Sequence, residues 1–228
     1  MSQKEKSAMD RTEKFEDDLE LLTSELNQDL QPREQASLNA LKDRLLELHA
    51  MNVVKINHSV MELVCAKPLI RRGYEVQVEH ELEPTLTCDL YATKGDGNHI
   101  IEIETGYIPP EHALDPSTYL LARIASKITR YSNHTGKFAL GTPLHYILPI
   151  PELLLTTPRK RTSENFKTVK ALCDLYYKNP PVTLDEVRNA RLHSVYIIDV
   201  DNLTAEEIDP EGYIKSKPVL ANNFTRIL

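Results

Sequence analysis

The sequence predicts an α/β fold, with helices flanking a mixed central sheet and an N-terminal helical extension before it. Three observations lead to this prediction. Apolar and polar residues alternate in segments such as YEVQVEHEL (74–82), which is typical of strands. Leucines recur every three or four residues near the N terminus, which indicates helices. Strand-like and helix-like segments then follow one another, an order typical of layered α/β domains.

Two apolar stripes with helical spacing predict two helices within residues 1–51. The stripes consist of Phe15, Leu19, Leu22, Leu26 and Leu30, and, after Pro32, of Leu38, Leu41, Leu45 and Leu48. Such helices form either an antiparallel hairpin on the chain's own core or a coiled-coil contact between two chains. We therefore expect a helical hairpin or dimerisation segment over 1–51 and the main domain over 52–228.

The main domain is expected to begin with a helix and a three-stranded antiparallel meander. In order, the predicted elements are a helix over 58–72, strands over 74–82, 86–93 and 99–105, a helix capped by Asp115, a strand over 137–143, helices over 164–178 and 183–192, and a strand over 193–200. The turn KGDG (94–97) is of the hairpin type. The tail from Asn202 is expected to be irregular, with at most one short pairing near Tyr213.

Composition predicts an intracellular, cytoplasmic globular protein that does not enter membranes. The chain has 27% charged residues, no apolar run long enough for a membrane span, and no apolar region typical of a secretory signal. Its three cysteines are far apart and are expected to be reduced and partly buried. The formal net charge is −7, but residues 1–34 hold ten acidic and five basic residues. The near-neutral remainder leaves nucleic acid open as a partner.

Three acidic residues, Asp89, Glu102 and Glu104, lie within the predicted strands of the stretch CDLYATKGDGNHIIEIETG (88–106). Glu102 and Glu104 share one face of their strand, and Asp89 lies on the neighbouring strand of the predicted meander. Carboxylates that converge on a covered sheet would repel one another, and a hard cation such as Mg²⁺ or Mn²⁺ relieves that repulsion. The alternative is a solvent-facing side of an antiparallel sheet, where alternating glutamates are ordinary.

The order of these elements resembles the PD-(D/E)XK nuclease superfamily. Glu62 in the helix VMELVCAKPLIRR, Asp89 in CDLYA, and Glu102 thirteen residues later in IIEIETG match its acidic positions over roughly residues 53–145. The chain is similar to resolvase-like and archaeal-virus nuclease-like members. The resemblance implies a restriction-endonuclease-like core and a Mg²⁺- or Mn²⁺-dependent DNA endonuclease, with junctions or branched DNA as candidate substrates. A homodimer would let two sites address two strands.

The resemblance also implies roles for individual residues. Asp89 and Glu102 would hold the metal ion together with the backbone carbonyl of Ile103, and Glu62 would support the ion through water or bind a second one. Glu104 stands where the superfamily usually has a lysine, and it would join the acidic set.

In some members of the superfamily the lysine comes from the following helix, and Lys127 is the candidate here. It would position the attacking water and stabilise charge on the phosphate. His58, one turn before Glu62, would bond a ligand or DNA, although single histidines at such positions are more often structural.

Two basic groups are candidates for binding DNA. Arg123, Arg130 and Tyr131 share a helical face with Lys127, and Arg159, Lys160 and Arg161 form a basic loop suited to the DNA backbone. Solvated surface is the alternative for both groups. No nucleotide cofactor is expected, because the sequence lacks phosphate-binding and dinucleotide-binding motifs.

Two non-enzymatic alternatives stay open at the level of sequence. The first is a catalytically inactive protein that keeps the nuclease fold and binds DNA or supports assembly. The second is an interaction module organised by the N-terminal helices.

Overall fold

The computed structural model describes residues 3–54 and 56–216, and the side chains of 13–54 and 56–216. It confirms an α/β fold with a mixed sheet. The helices are α1 (Gln3–Leu26), α2 (Pro32–Ala50), α3 (Ile56–Arg71), α4 (Pro116–Tyr131), α5 (Glu152–Leu155), α6 (Ser163–Asp174), α7 (Leu184–Asn189) and α8 (Pro210–Ser216). The strands are β1 (Glu75–Glu83), β2 (Leu86–Lys94), β3 (Gly97–Ile103), β4 (Lys137–Pro143), β5 (Ser194–Asp199) and β6 (Thr204–Ile208).

The six strands follow the order β1-β2-β3-β4-β5-β6 in the sheet. Strands β1 and β2 are antiparallel, whereas β3 and β4 are parallel. A parallel pair needs a long crossover connection, and α4 lies in the connection between β3 and β4. None of the helices in the described part of the chain combines the length and apolar character that crossing a bilayer requires.

The chain divides into two compact units, of which the first contains Met1–Asp96 and Ile198–Ala205. In this unit α1 and α2 pack on each other and on α3. Both predicted leucine stripes are buried here, from Phe15 to Leu30 and from Leu38 to Leu48. Helix α2 begins at Pro32 with reciprocal hydrogen bonds between Gln31 and Glu34, a capping box. The chain's own residues therefore cover the stripes, as the hairpin interpretation expects.

The second unit contains Gly97–Ile197 and the residues from Glu206 onward. Its strands β3 and β4 are apolar and buried along most of their length, and α4 packs on α6. Residues Ile101 and Glu102 pair with Ala139 and Leu140, which sets the register of the two strands. Burial on both faces is typical of parallel strands.

The expectation of an irregular tail from Asn202 was wrong for the described residues. Strand β6 and helix α8 follow one another there. Tyr213 of α8 is buried, and its hydroxyl oxygen accepts a hydrogen bond from the backbone N–H of Leu148 at 3.1 Å. Tertiary packing thus orders a polar segment whose local pattern is weak. The tail after residue 216 lies outside the described residues.

Two local details of the predicted secondary structure also differ from the structure. Asp115 occupies the position before α4, but its side chain makes no capping hydrogen bond to the helix. Instead its carboxylate accepts a hydrogen bond from the Tyr176 hydroxyl. The short helix α5 was not predicted, because its four residues are too few to show a period.

The three cysteines are free thiols and buried, as expected.

Candidate metal centre and ion-pair network

Three side chains of the first unit bring potential metal ligands together. His58 and Glu62 lie one turn apart on α3, and Asp89 lies on β2. One ligand atom from each residue lies within 4.8 Å of those of the other two. His58 Nε2 lies 3.4 Å from Asp89 Oδ2. Two of the three acidic residues that the resemblance implies as ligands, Glu62 and Asp89, belong to this group with His58, and Glu102 is not among its members.

Burial and strand alternation explain why these side chains converge. Glu62 is fully buried, whereas the side chains of His58 and Asp89 are 29% and 15% exposed. Cys88 and Leu90 are buried at 0% exposure, and alternation turns Asp89 to the opposite face of β2. The group is thus closed on its inner side at Glu62 and reaches solvent through His58 and Asp89.

The donor set fits a divalent cation. An ionised carboxylate as buried as Glu62 is costly to desolvate unless it pairs with opposite charge or binds a metal. Two oxygens and an imidazole nitrogen suit Mn²⁺ well and Mg²⁺ less well, because Mg²⁺ favours oxygen ligands. With bonds of about 2.1 Å, two ligands of one ion lie at most about 4.2 Å apart. Small side-chain rotations would bring the group within that limit.

The backbone opposite Asp89 adopts an uncommon conformation. Val78 pairs with Leu90 and His80 with Cys88, so the register sets Glu79 opposite Asp89. Glu79 has a positive φ of 47°, which is infrequent for a residue other than glycine. Such backbone strain is often found near functional sites. Alternation within YEVQVEHEL (74–82) gives no sign of this conformation.

Glu102 and Glu104 lie in the second unit within a network of ion pairs. Both are buried, which excludes the alternative of a solvent-facing strand face. Lys127 Nζ lies 3.0 Å from Glu102 Oε2 and 2.7 Å from Glu104 Oε1. It also donates a hydrogen bond to the carbonyl of Ile103 at 3.2 Å. Lys127 therefore contacts the acidic residues at the end of β3.

Arg123 completes this network from the preceding turn of α4. Its Nε lies 3.0 Å from Glu104 Oε1. Burial lowers the pKa of the Arg123 guanidinium, but the charge and hydrogen bond of Glu104 outweigh that effect and the net shift is upward. Two buried carboxylates thus pair with two cations of α4.

Gly106 and Tyr146 border the same network. A Cβ atom at Gly106 would lie 2.5 Å from Tyr146 Cδ2, and Gly106 has a φ of +77°. Only glycine fits both constraints without strain. Burial raises the pKa of Tyr146, and the charge of Glu104 adds to that effect. Tyr146 therefore packs as a neutral phenol beside the buried glutamate.

The predicted DNA-binding residues differ in their contacts and in their exposure to solvent. Arg130 donates a hydrogen bond to the carbonyl of Pro180, and its guanidinium carbon lies 5.7 Å from the ring centroid of Tyr177. The half-buried Tyr131 stacks on Phe138, with centroids 6.3 Å apart. Arg159 and Lys160 are exposed. These two side chains are accessible to a phosphate backbone.

Arg161 is buried, unlike its two basic neighbours. Its Nε donates to the carbonyl of Thr156 at 2.9 Å, and its Nη1 donates to those of Val187 and Arg188 at 3.0 Å each. Burial lowers the pKa of the guanidinium to about 10, which still leaves it charged at neutral pH. Because its donors serve the chain's own backbone at the end of α7, we leave Arg161 out of the proposed DNA-binding set.

No family model, curated protein or solved structure matches this chain. Its function is therefore inferred from the contacts described above. The spacing of His58 did carry a signal, because a histidine four residues before a helical glutamate occupies the same helical face. Nothing in the sequence alone indicated that Arg161 would be buried, since runs of basic residues are usually solvated.

Proposed function

We propose that this protein is a metal-dependent DNA endonuclease with a restriction-endonuclease-like core, in which His58, Glu62 and Asp89 hold the ion. The observation that supports it best is the convergence of these three side chains within 4.8 Å around a fully buried carboxylate. The order of the helix glutamate, strand aspartate and strand glutamate along the chain supports the same reaction class.

Each of the three proposed ligands would have a distinct part in this activity. A divalent ion in this position would supply Lewis-acid activation of water toward a phosphodiester. Glu62 would provide a fixed anionic oxygen, because its burial restricts the side chain. His58 and Asp89 would complete the donor set at the solvent side. The imidazole nitrogen favours Mn²⁺ over Mg²⁺ in this set.

The contributions of Glu102 and Lys127 remain predictions from the sequence pattern. The resemblance gives Glu102 the part of an acidic ligand and Lys127 that of orienting the attacking water. Within the second unit the Lys127 ammonium lies 3.0 Å from Glu102. Variants of these residues must therefore be assayed separately from those of the three proposed metal ligands.

The decisive test is Asp89→Asn, which removes one anionic ligand with little change in shape. We expect Mn²⁺-dependent cleavage of four-way junction or linear DNA to fall by about 100-fold or more, and Mn²⁺ affinity measured by calorimetry to fall in parallel. The matched control is Asp96→Asn, the same chemical change at an exposed turn position of the first unit. Cleavage by Asp89→Asn at the wild-type rate would refute the proposal.

One observation favours a catalytically inactive DNA-binding or assembly protein instead. Lys127 is held by two buried glutamates, as expected of a structural ion pair. Under this alternative the wild-type protein binds DNA in Mn²⁺ without cleaving it, and Asp89→Asn leaves binding unchanged. Measuring binding and cleavage on the same DNA therefore separates the two functions.

A further inference from the structure

A pocket of about 500 Å³ in the second unit lies outside the residues assigned above to metal or catalysis. It is formed by the last turn of α4, the segment that follows α6, and the short helix Pro110–His112. The residues used below are His112, Arg130, Tyr176, Tyr177 and Lys178, all of which line it. This volume falls within the range of small-ligand sites.

Aromatic rings form one part of this pocket and are held in place by their neighbours. His112 stacks on Tyr119 with ring centroids 4.1 Å apart. The ring of Tyr176 stands nearly perpendicular to both, with its centroid 5.0 Å from that of His112 and 5.5 Å from that of Tyr119. The Tyr176 hydroxyl also donates a hydrogen bond to the Asp115 carboxylate, and this bond raises the pKa of the phenol to about 12. The ring is therefore fixed and neutral.

Cations form the other part. Arg130 is positioned by its hydrogen bond to the Pro180 carbonyl and by the ring of Tyr177. Lys178 is exposed beside it. The described residues that line the pocket include these two cations and no carboxylate. Of the nearby acids, Asp115 binds the Tyr176 hydroxyl and Asp174 pairs with Lys170 at 2.7 Å.

Aromatic rings beside two cations suit a ligand that combines an aromatic ring with a phosphate. We propose that this pocket binds an unpaired nucleotide, with its base against Tyr176 and Tyr177 and its phosphate on Arg130 and Lys178. A base within a duplex is stacked on its neighbours and offers no free face, so the pocket would select single-stranded tails or unpaired positions. This inference rests on the proposed function in taking DNA as the substrate.

Binding is tested on the full-length protein in EDTA, so that cleavage plays no part. Fluorescence anisotropy would compare a labelled single-stranded 12-mer with its duplex. We expect the single strand to bind at least about tenfold more tightly, and Tyr176→Ala to weaken its binding about tenfold. Tyr176→Phe keeps the ring but releases the Asp115 carboxylate, so it should bind more tightly than Tyr176→Ala and no more tightly than the wild type. Tyr107→Ala, at an exposed tyrosine of the same unit outside the pocket, is the matched control.

Lys178→Ala provides a second variant that removes only an exposed side chain. It should reduce the slope of log affinity against log salt by about 0.7, the value for one phosphate contact on a single strand. Equal affinity for single strand and duplex would overturn the inference. So would a Tyr176→Ala or Lys178→Ala protein that binds as the Tyr107→Ala control does.

Competition distinguishes the two sources of this ligand chemistry. Displacement of the labelled strand by dAMP at millimolar concentration would indicate a site for free nucleotides. Displacement only by unlabelled single strands would indicate a site for a nucleotide within DNA. If neither competes, the inference fails.

Failure here is separable from failure of the proposed function. If Asp89→Asn loses cleavage but single strand and duplex bind alike, the nuclease proposal stands and the pocket inference falls. If the wild type never cleaves but binds single strands through Tyr176, the pocket inference stands alone.

Discussion

At the scale of single residues, Arg161 shows how one buried side chain can satisfy a helix end. Its guanidinium donates to the carbonyls of Thr156, Val187 and Arg188, and the last two belong to the final turns of α7. The last carbonyls of a helix have no partners within it and need donors from elsewhere. A long basic side chain supplies them here.

We expect Arg161→Met to lower the free energy of unfolding by about 2–3 kcal/mol, because the acceptors lose their donors while remaining largely buried. Urea denaturation would measure the change. Lys160→Met, at the exposed neighbouring position, should stay within about 0.5 kcal/mol of the wild type. Equal stabilities of the two variants would show that the buried hydrogen bonds contribute little.

His193 makes stability depend on pH. Its Nδ1 accepts a hydrogen bond from the backbone N–H of Phe138 at 3.0 Å, which requires the neutral ring. Burial lowers the pKa of His193 below its ordinary value of 6.5, and the charges of Arg191 and Lys137 act in the same direction. The unfolded chain therefore binds the proton more readily than the folded chain does.

It follows that the stabilising contribution is present above pH 6.5 and is lost as the pH falls toward the lowered pKa of the folded state. His193→Asn keeps an acceptor oxygen but does not titrate. We expect the wild type to lose stability relative to this variant between pH 7.5 and about 5 in urea denaturation. Parallel pH profiles of the two proteins would contradict this assignment.

At the scale of elements, ion pairs join α4 to β3 inside the second unit. Lys127 and Arg123 of α4 contact Glu104, the residue immediately after β3, and Lys127 also contacts Glu102. Removing one member of a buried pair leaves an uncompensated charge, which costs more than the intact pair contributes. The network is therefore sensitive to single substitutions whether or not it takes part in catalysis.

Lys127→Met should destabilise the protein by about 3 kcal/mol. The double variant Lys127→Met/Glu104→Gln should lose less than the sum of the two single changes, because the Glu104 charge that loses Lys127 is then neutralised as well. Lys167→Met, at an exposed position of α6, is the control. Thermal or urea unfolding would measure all four proteins, and strict additivity would argue against coupling between Lys127 and Glu104.

Much of this secondary structure could be predicted from local patterns, and the failures share a cause. The leucine stripes and the alternation in β1 depend on period alone, so they indicated α1, α2 and β1 correctly. Strand β6 and helix α8 are short and polar, and they are ordered by contacts such as that between Tyr213 and Leu148.

The candidate site was predicted in part for the same reason. The order of acidic residues along the chain singled out Glu62 and Asp89, but the approach of α3 to β2 and the burial of Arg161 depend on distant neighbours. Such tertiary contacts leave no periodic signal along the chain.

At the scale of the whole molecule, the leucine stripes bear on oligomeric state. A homodimer through α1 and α2 was one interpretation of the sequence, and the stripes are instead buried within the first unit. Dimerisation itself stays a proposal. Because buried leucines are not accessible to a second chain, a homodimer would have to form through another surface.

We expect Leu45→Ala to destabilise the protein by about 2–5 kcal/mol, because Leu45 is fully buried and the substitution leaves a cavity. The melting temperature should fall by the same amount at every protein concentration, since a contact within one chain is independent of mass action. Scanning calorimetry over a 100-fold range of protein concentration would check this. Leu21→Ala, at an exposed leucine of α1, serves as the control.

The path of the chain through its two units limits how the protein can be assembled. The chain passes through most of the second unit, returns to the first unit at Ile198–Ala205, and enters the second unit again at Glu206. Neither unit is complete when only the N-terminal part of the chain has left the ribosome. Both are finished only after the chain has been made beyond Glu206, and no single cut separates them into intact fragments.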